Sequence, residues 1–128
     1  MFGTITKTLM AIALFTSSAI AHELTPTYPE LKPSYVDKVL VTTIKMWNRR
    51  NDVEYYEIGV FDEEWGKVPF ATTDRIFRVS YLQHKTMEVY FRDKDVDRIF
   101  WICTTSKQLK QDVKSTGIKS RICSRIAR

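Results

Sequence analysis

The apolar residues of this chain fall into short β-rich runs separated by polar turns, with no convincing 3.6-residue period, the pattern of strands rather than helices. Val36–Trp47 (VDKVLVTTIKMW) is dense in β-branched residues and predicts the first strong strand. Asn48–Asp52 (NRRND) is a polar turn. Val53–Phe61 (VEYYEIGVF) is the second strand, with Tyr56, Ile58 and Val60 on one face and Glu57 on the other. Asp62–Lys67 (DEEWGK) predicts a turn that places Gly66 at positive φ. Arg75–Leu82 (RIFRVSYL) and Lys85–Phe91 (KTMEVYF) follow as a strand pair around Gln83-His84, and Arg92–Asp97 is a charged loop. Arg98–Thr104 (RIFWICT) is apolar on both faces, as a central strand requires. Gly117–Ile126 (GIKSRICSRI) is the last strand, with Ile118, Ile122 and Ile126 on one side and Lys119, Arg121, Cys123 and Arg125 on the other.

Two segments depart from this pattern. Leu24–Ser34 carries Pro26, Pro29 and Pro33, which cannot donate to a ladder, so it predicts an extended edge segment. Ser106–Val113 is the only helix candidate, and it is short. About seven strands in roughly 100 residues predict an all-β fold, a single antiparallel β-sandwich. Trp47, Tyr55, Tyr56, Phe61, Phe77, Tyr90, Phe91, Phe100 and Trp101 are available to fill its core, and an aromatic binding platform is the competing use of the same rings.

The first residues change the picture by adding a compartment. Met1–Ala21 reads as a secretory signal peptide: Lys7 is its one charge, Leu9–Phe15 its short apolar run, and Ala19-Ile20-Ala21 a small-x-small cleavage site. The domain is then residues 22–128, periplasmic or secreted, with no membrane insertion after cleavage and room for one core. Cys103 and Cys123 are two cysteines in an oxidising compartment and predict one disulfide, closing a loop that stabilises the fold by about 3 kcal/mol. Their spacing is not that of a metal or redox motif.

The whole chain carries a formal charge of +5, and the excess is local. Residues 22–106 hold 12 basic and 14 acidic groups, whereas Lys107–Arg128 holds 7 basic and 1 acidic. Such a terminus either attracts an anionic partner or solvates an edge strand against aggregation.

Catalytic chemistry finds no support. No phosphate loop, GxSxG or HExxH motif is present, and Asp62-Glu63-Glu64 and Asp93–Asp97 read as solvated turns. No enzyme activity, cofactor or nucleic-acid partner is expected. One alternative is chemically sharper. Cleavage after Ala21 leaves His22 with a free α-amine beside its imidazole, a Cu²⁺-chelating pair that His84 could complete.

A strand ending in Asn48, a polar turn, a strand with Tyr55 near its start, Phe61-Asp62 and the closing Gly66 stand in one order along the chain, with Pro69-Phe70 after them. This run resembles the second-to-third-strand region of PapD-like periplasmic chaperones, the pilus-assembly family. Val79–Val89, Asp97-Arg98 with Phe100, and the basic Ile118–Arg128 resemble later strands of the same domain. The resemblance covers residues 36–126 and implies an immunoglobulin-like sandwich that acts by binding. It implies edge-strand pairing with a protein partner, such as a pilin-like or other exported subunit, by a domain that is monomeric when free. Ile118, Arg121, Ile122, Arg125 and Ile126 are then the candidate partner contacts. Pilus-assembling members have a second domain, for which this chain has no room. They also anchor a subunit carboxylate with an arginine on the first strand and a lysine on the last. The first-strand segment here has no arginine, and Cys123, flanked by Arg121 and Arg125, stands where the lysine would fall. A small structural component of a surface or particle assembly, without chaperone activity, is a further reading of the same sandwich.

Overall fold

The computed structural model describes residues 21–108 and 119–128. All of the signal peptide but Ala21, together with Ile118 and most of the Ser106–Val113 helix candidate, therefore lies outside the described residues; Ser106 and Lys107 themselves are in a strand.

Among the described residues eight strands form two antiparallel sheets: β1 (Glu23–Thr25), β2 (Lys32–Pro33), β3 (Val39–Trp47), β4 (Tyr55–Phe61), β5 (Ile76–Arg78), β6 (His84–Arg92), β7 (Trp101–Lys107) and β8 (Arg121–Arg125). In the first sheet β3 is central. It pairs along its whole length with β6, from Val39↔Arg92 to Trp47↔His84, and shares its other edge between β1 and β2. The second sheet has the order β5-β4-β7-β8. The proline-bearing segment is thus an interrupted edge strand, as its missing donors dictate.

Residues of period two from both sheets meet in the middle: Ile44, Met46, Val89 and Phe91 from the first, Tyr56, Ile58, Val60 and Ile102 from the second. Glu57 lies on the opposite face of β4 from Tyr56, Ile58 and Val60, where Lys107 pairs with it at 2.8 Å. The end of β3 is fixed by Asn48, fully buried. Its Nδ2 donates to the carbonyls of Val53 and Val79, and its Oδ1 accepts from the Arg50 amide and the Tyr56 hydroxyl. Every polar atom of this amide is used, so the turn Asn48–Asp52 and the entry to β4 are set by one side chain.

Four expectations are corrected. The segments around Ile76 and Met87 do not pair with each other: β5 joins β4 in the second sheet and β6 joins β3 in the first. The turn between them, with Leu82 at φ 62°, is hydrogen-bonded to Asn48, which directs the chain across the sandwich. Positive φ in the Asp62–Lys67 turn falls on Trp65 (66°) rather than on Gly66. Gly66 is required instead because a Cβ there would come within 2.6 Å of Asp62 Oδ2, and that carboxylate is held in place by its Oδ1, which accepts from the amides of Glu64 and Gly66. Of the nine aromatic residues assigned to the core, only Tyr56, Phe77 and Phe91 are buried. Finally, Asp93–Arg98 is a 3₁₀ turn in which Asp95 is buried between Arg92 and Arg98 rather than solvated.

Candidate partner-binding site

β8 is the site the sequence singled out, and its geometry follows from antiparallel alternation. Ser106 donates its amide to the Ser120 carbonyl and Ile126 donates to Phe100, so even-numbered residues of this strand turn their backbone toward β7. Odd-numbered residues turn theirs outward. From Arg125 onward that outer edge is covered by the chain's own first segment: the Arg125 amide donates to Thr27 O and the Ala127 amide to Pro29 O, both at 3.0 Å, and the Ser124 hydroxyl donates to Pro26 O. Thr27 and Pro29 accept from Arg125 and Ala127 in the same chain order, so this cover runs parallel to β8. One strand-length earlier the first segment has turned its own backbone bonds to β3 as β1. The outward amides of Arg121 and Cys123 consequently find no backbone partner among the described residues.

The candidate side chains divide between two faces. Ile126 is 6 % exposed and belongs to the core, and Ile122 packs against that core, so Ile126 is a fold residue and not a partner contact. Arg121 and Arg125 are exposed on the solvent face. Cys103 and Cys123 face each other on that same side as a non-hydrogen-bonded pair, and a disulfide joins them across β7 and β8.

Above the disulfide lies an aromatic group that alternation alone did not reveal. The Phe61 ring folds back over Gly59, where a Cβ would meet it at 3.0 Å, and Gly59 is in register with Cys103. The Arg121 guanidinium lies over the rings of Phe61 (5.2 Å) and Trp65 (5.7 Å), and Arg125 lies over Phe100 (4.6 Å). Phe61, Phe100 and Trp101 are only half-buried and belong to this group rather than to the core; in an apolar run, inner and outer rings look alike.

The structure does not bring His22 and His84 together. His84 is exposed and packs on Trp47, on the solvent face of the first sheet. His22 is 1 % exposed and points between the sheets. Its Nε2–H donates to the Thr104 carbonyl and meets Thr104 Oγ1 at 2.8 Å, its Nδ1 accepts from the Ser120 hydroxyl, and its ring packs on Tyr56. Burial is the main cause that lowers its pKa to about 4, opposed by the Thr104 bond and helped by nearby Arg50. Burial likewise raises the Tyr56 phenol to about 12. No group of three His, Cys, Asp or Glu among the described residues could hold a metal ion. His22 is instead a clamp from the first segment onto β7 and the entry to β8.

The switching first segment, the two-sheet order and the half-open last strand together define the topology to be compared. The chain has the PapD-like fold. The E. coli chaperone DraB superimposes with a TM-score of 0.58 at 13 % identity, over 84 % of this chain and 53 % of that one. PapD-like domain 7 of human CEP192 gives 0.55 at 7 % identity, over 84 % and 82 %. The periplasmic chaperone SfaE gives 0.52 at 15 % identity, over 83 % and 56 %. The PapD-like domain thus spans about half the length of the two chaperones. No protein-family model matches the chain, and no curated protein matches it in sequence.

Proposed function

We propose that this chain is an exported, non-enzymatic PapD-like binding module that holds a protein partner by strand addition at the open part of β8. The observation that carries the reading is the divided outer edge of β8, bonded to Thr27 and Pro29 from Arg125 onward and open at Arg121 and Cys123. An extended segment placed there would receive two residues' worth of outward donors and acceptors, with register set by alternate side chains. DraB and SfaE, which share the fold, are chaperones, and SfaE is periplasmic. The signal-peptide reading of Met1–Ala21 places this chain in the same kind of compartment, and among the described residues no helix is long and apolar enough to cross a membrane. A pilin-like or other exported subunit is the class of partner that fits.

The test is site-specific photo-crosslinking in the periplasm of the source cell. A crosslinker replacing Arg121 should capture a defined exported subunit, and one replacing Ile76, on the opposite edge of the same sheet, should not. Capture of the same subunit at Ile76 and not at Arg121 would overturn the assignment.

A further inference from the structure

We infer that the solvent face of the second sheet, centred on Trp65 and Arg121, docks an acidic peptide segment of a protein partner. This docking uses side chains on a sheet face, so it does not depend on strand addition at the β8 edge.

The first observation is where Trp65 sits. A bulky residue at φ 66° is a backbone outlier, and glycine is the residue that adopts such a conformation freely. The turn does not need an indole there. It is closed by the Asp62 backbone, which exchanges bonds with Gly66 and Trp65, and by the Asp62 carboxylate. The left-handed residue instead sends its ring back onto the sheet, parallel to Trp101 within 2° at 5.4 Å and 5.9 Å from Phe61. The ring remains 48 % exposed. Strain at this position therefore maintains a broad apolar surface in water, which points to a surface used for contact.

The second observation is charge. Arg49, Arg78, Arg92 and Arg98 are exposed arginines, and each has a carboxylate within ion-pair distance. Among the described residues Arg75, Arg121, Arg125 and Arg128 have none; Arg75 and Arg128 donate to main-chain carbonyls, whereas the guanidinium groups of Arg121 and Arg125 lie on aromatic rings without such a bond. A guanidinium held flat on a ring keeps its N–H edge free for a carboxylate and loses little further freedom on pairing. Lys119, Arg121, Arg125 and Arg128 are the described charged residues from 119 to 128, all of them basic, so the β8 side of this face is positive, while Asp62, Glu63 and Glu64 mark its acidic limit on the turn that carries Trp65.

Spacing selects a peptide over another polyanion. Arg121 and Arg125 are four residues apart on one strand, roughly 13 Å, on the same face. An extended peptide lying along β8 has the same repeat, so its carboxylates at every fourth position meet both arginines while an intervening side chain rests on Trp65.

Poly-L-glutamate and a glutamate–tyrosine copolymer serve as probes of the full exported protein, read by tryptophan fluorescence and titration calorimetry. Both should bind, the copolymer more tightly. Trp65→Gly and Arg121→Gln should each weaken binding about tenfold. Trp65→Gly should leave the thermal midpoint within a few degrees, since it relieves the positive φ as it removes the stacked ring. Trp65→Asn, which also tolerates this backbone, is the second variant if the first does not fold. Lys45→Gln removes a comparable cation–aromatic pair on the first sheet, where Lys45 lies over Trp47, and should change nothing. Unchanged affinity in Trp65→Gly or in Trp65→Asn would overturn the inference. So would an equal loss in Lys45→Gln, which indicates charge alone, or tighter binding of heparin than of either polypeptide, which indicates a polysaccharide site. Because Arg121→Gln leaves the backbone intact, this result and the fate of edge pairing are read separately.

Discussion

The two halves of β8 share one side-chain alternation and differ in what lies beside them. From Arg125 onward the outer edge is bonded to Thr27 and Pro29, and Ile126 is sunk in the core. Around Arg121 and Cys123 the neighbouring strand β1 has committed its backbone to β3, and among the described residues the hydrogen bonds from the first segment here are those of the His22 side chain to Thr104 and Ser120. A strand that switches from one sheet to the other can cover only part of each. What remains is an edge guarded by exposed cations rather than by another strand, and fastened to β7 by a disulfide so that it keeps its shape uncovered.

The largest effect should come from the covered half. Ile126→Ala removes a buried side chain and should cost about 4 kcal/mol in urea denaturation. Arg121→Ala, in the open half, should cost at most about 1 kcal/mol. Equal costs would erase the distinction.

The His22 clamp gives the next effect, and it depends on pH. Its folded pKa of about 4 lies below the ordinary 6.5, so the neutral ring favours the folded state. That contribution is complete above about pH 6.5 and is lost as pH falls toward 4, removing about 3 kcal/mol. In His22→Gln this part of the acid destabilisation should vanish from a pH series of denaturation curves. A series that matches the parent protein would show that His22 is not the titrating clamp.

Replacing both Cys103 and Cys123 by serine opens a closure of 20 residues and should cost about 3 kcal/mol on the chain-entropy estimate, or somewhat less if the unfolded chain keeps structure. Intact-mass measurement of non-reduced protein should show no free thiol.

Much of this arrangement was legible beforehand, and what was not has a physical cause. The alternation of Tyr56, Ile58 and Val60 set the faces of β4, and the paired cysteines and basic residues marked β8, because each is a local signal. Pairing is not local. Nothing in Arg75–Leu82 or Lys85–Phe91 says that they enter different sheets, since each buries its alternate residues whichever partner it has. Burial of His22 was illegible for the same reason: its partners Thr104 and Ser120 are 82 and 98 residues away. Trp65 escaped because a tryptophan beside a glycine gives no sign that it takes the left-handed position itself. The resemblance carried by Asn48 was sound for the fold, and the four satisfied bonds of that amide are the physical reason the position is informative.

The smallest perturbation separates the two backbone directions within the open half. Arg121→Pro removes an outward amide and should leave the β7 ladder intact and stability nearly unchanged, whereas Ile122→Pro removes an amide that faces β7 and should destabilise the sheet.

The central claim, that the outer edge of β8 is closed from Arg125 and open before it, is tested most directly by residue-resolved amide hydrogen exchange of the free protein. The amides of Arg125 and Ala127 should be protected by their bonds to Thr27 and Pro29, while those of Arg121 and Cys123 exchange as open amides. Protection at Arg121 and Cys123 equal to that at Arg125 and Ala127 would show the edge already covered and would contradict the account.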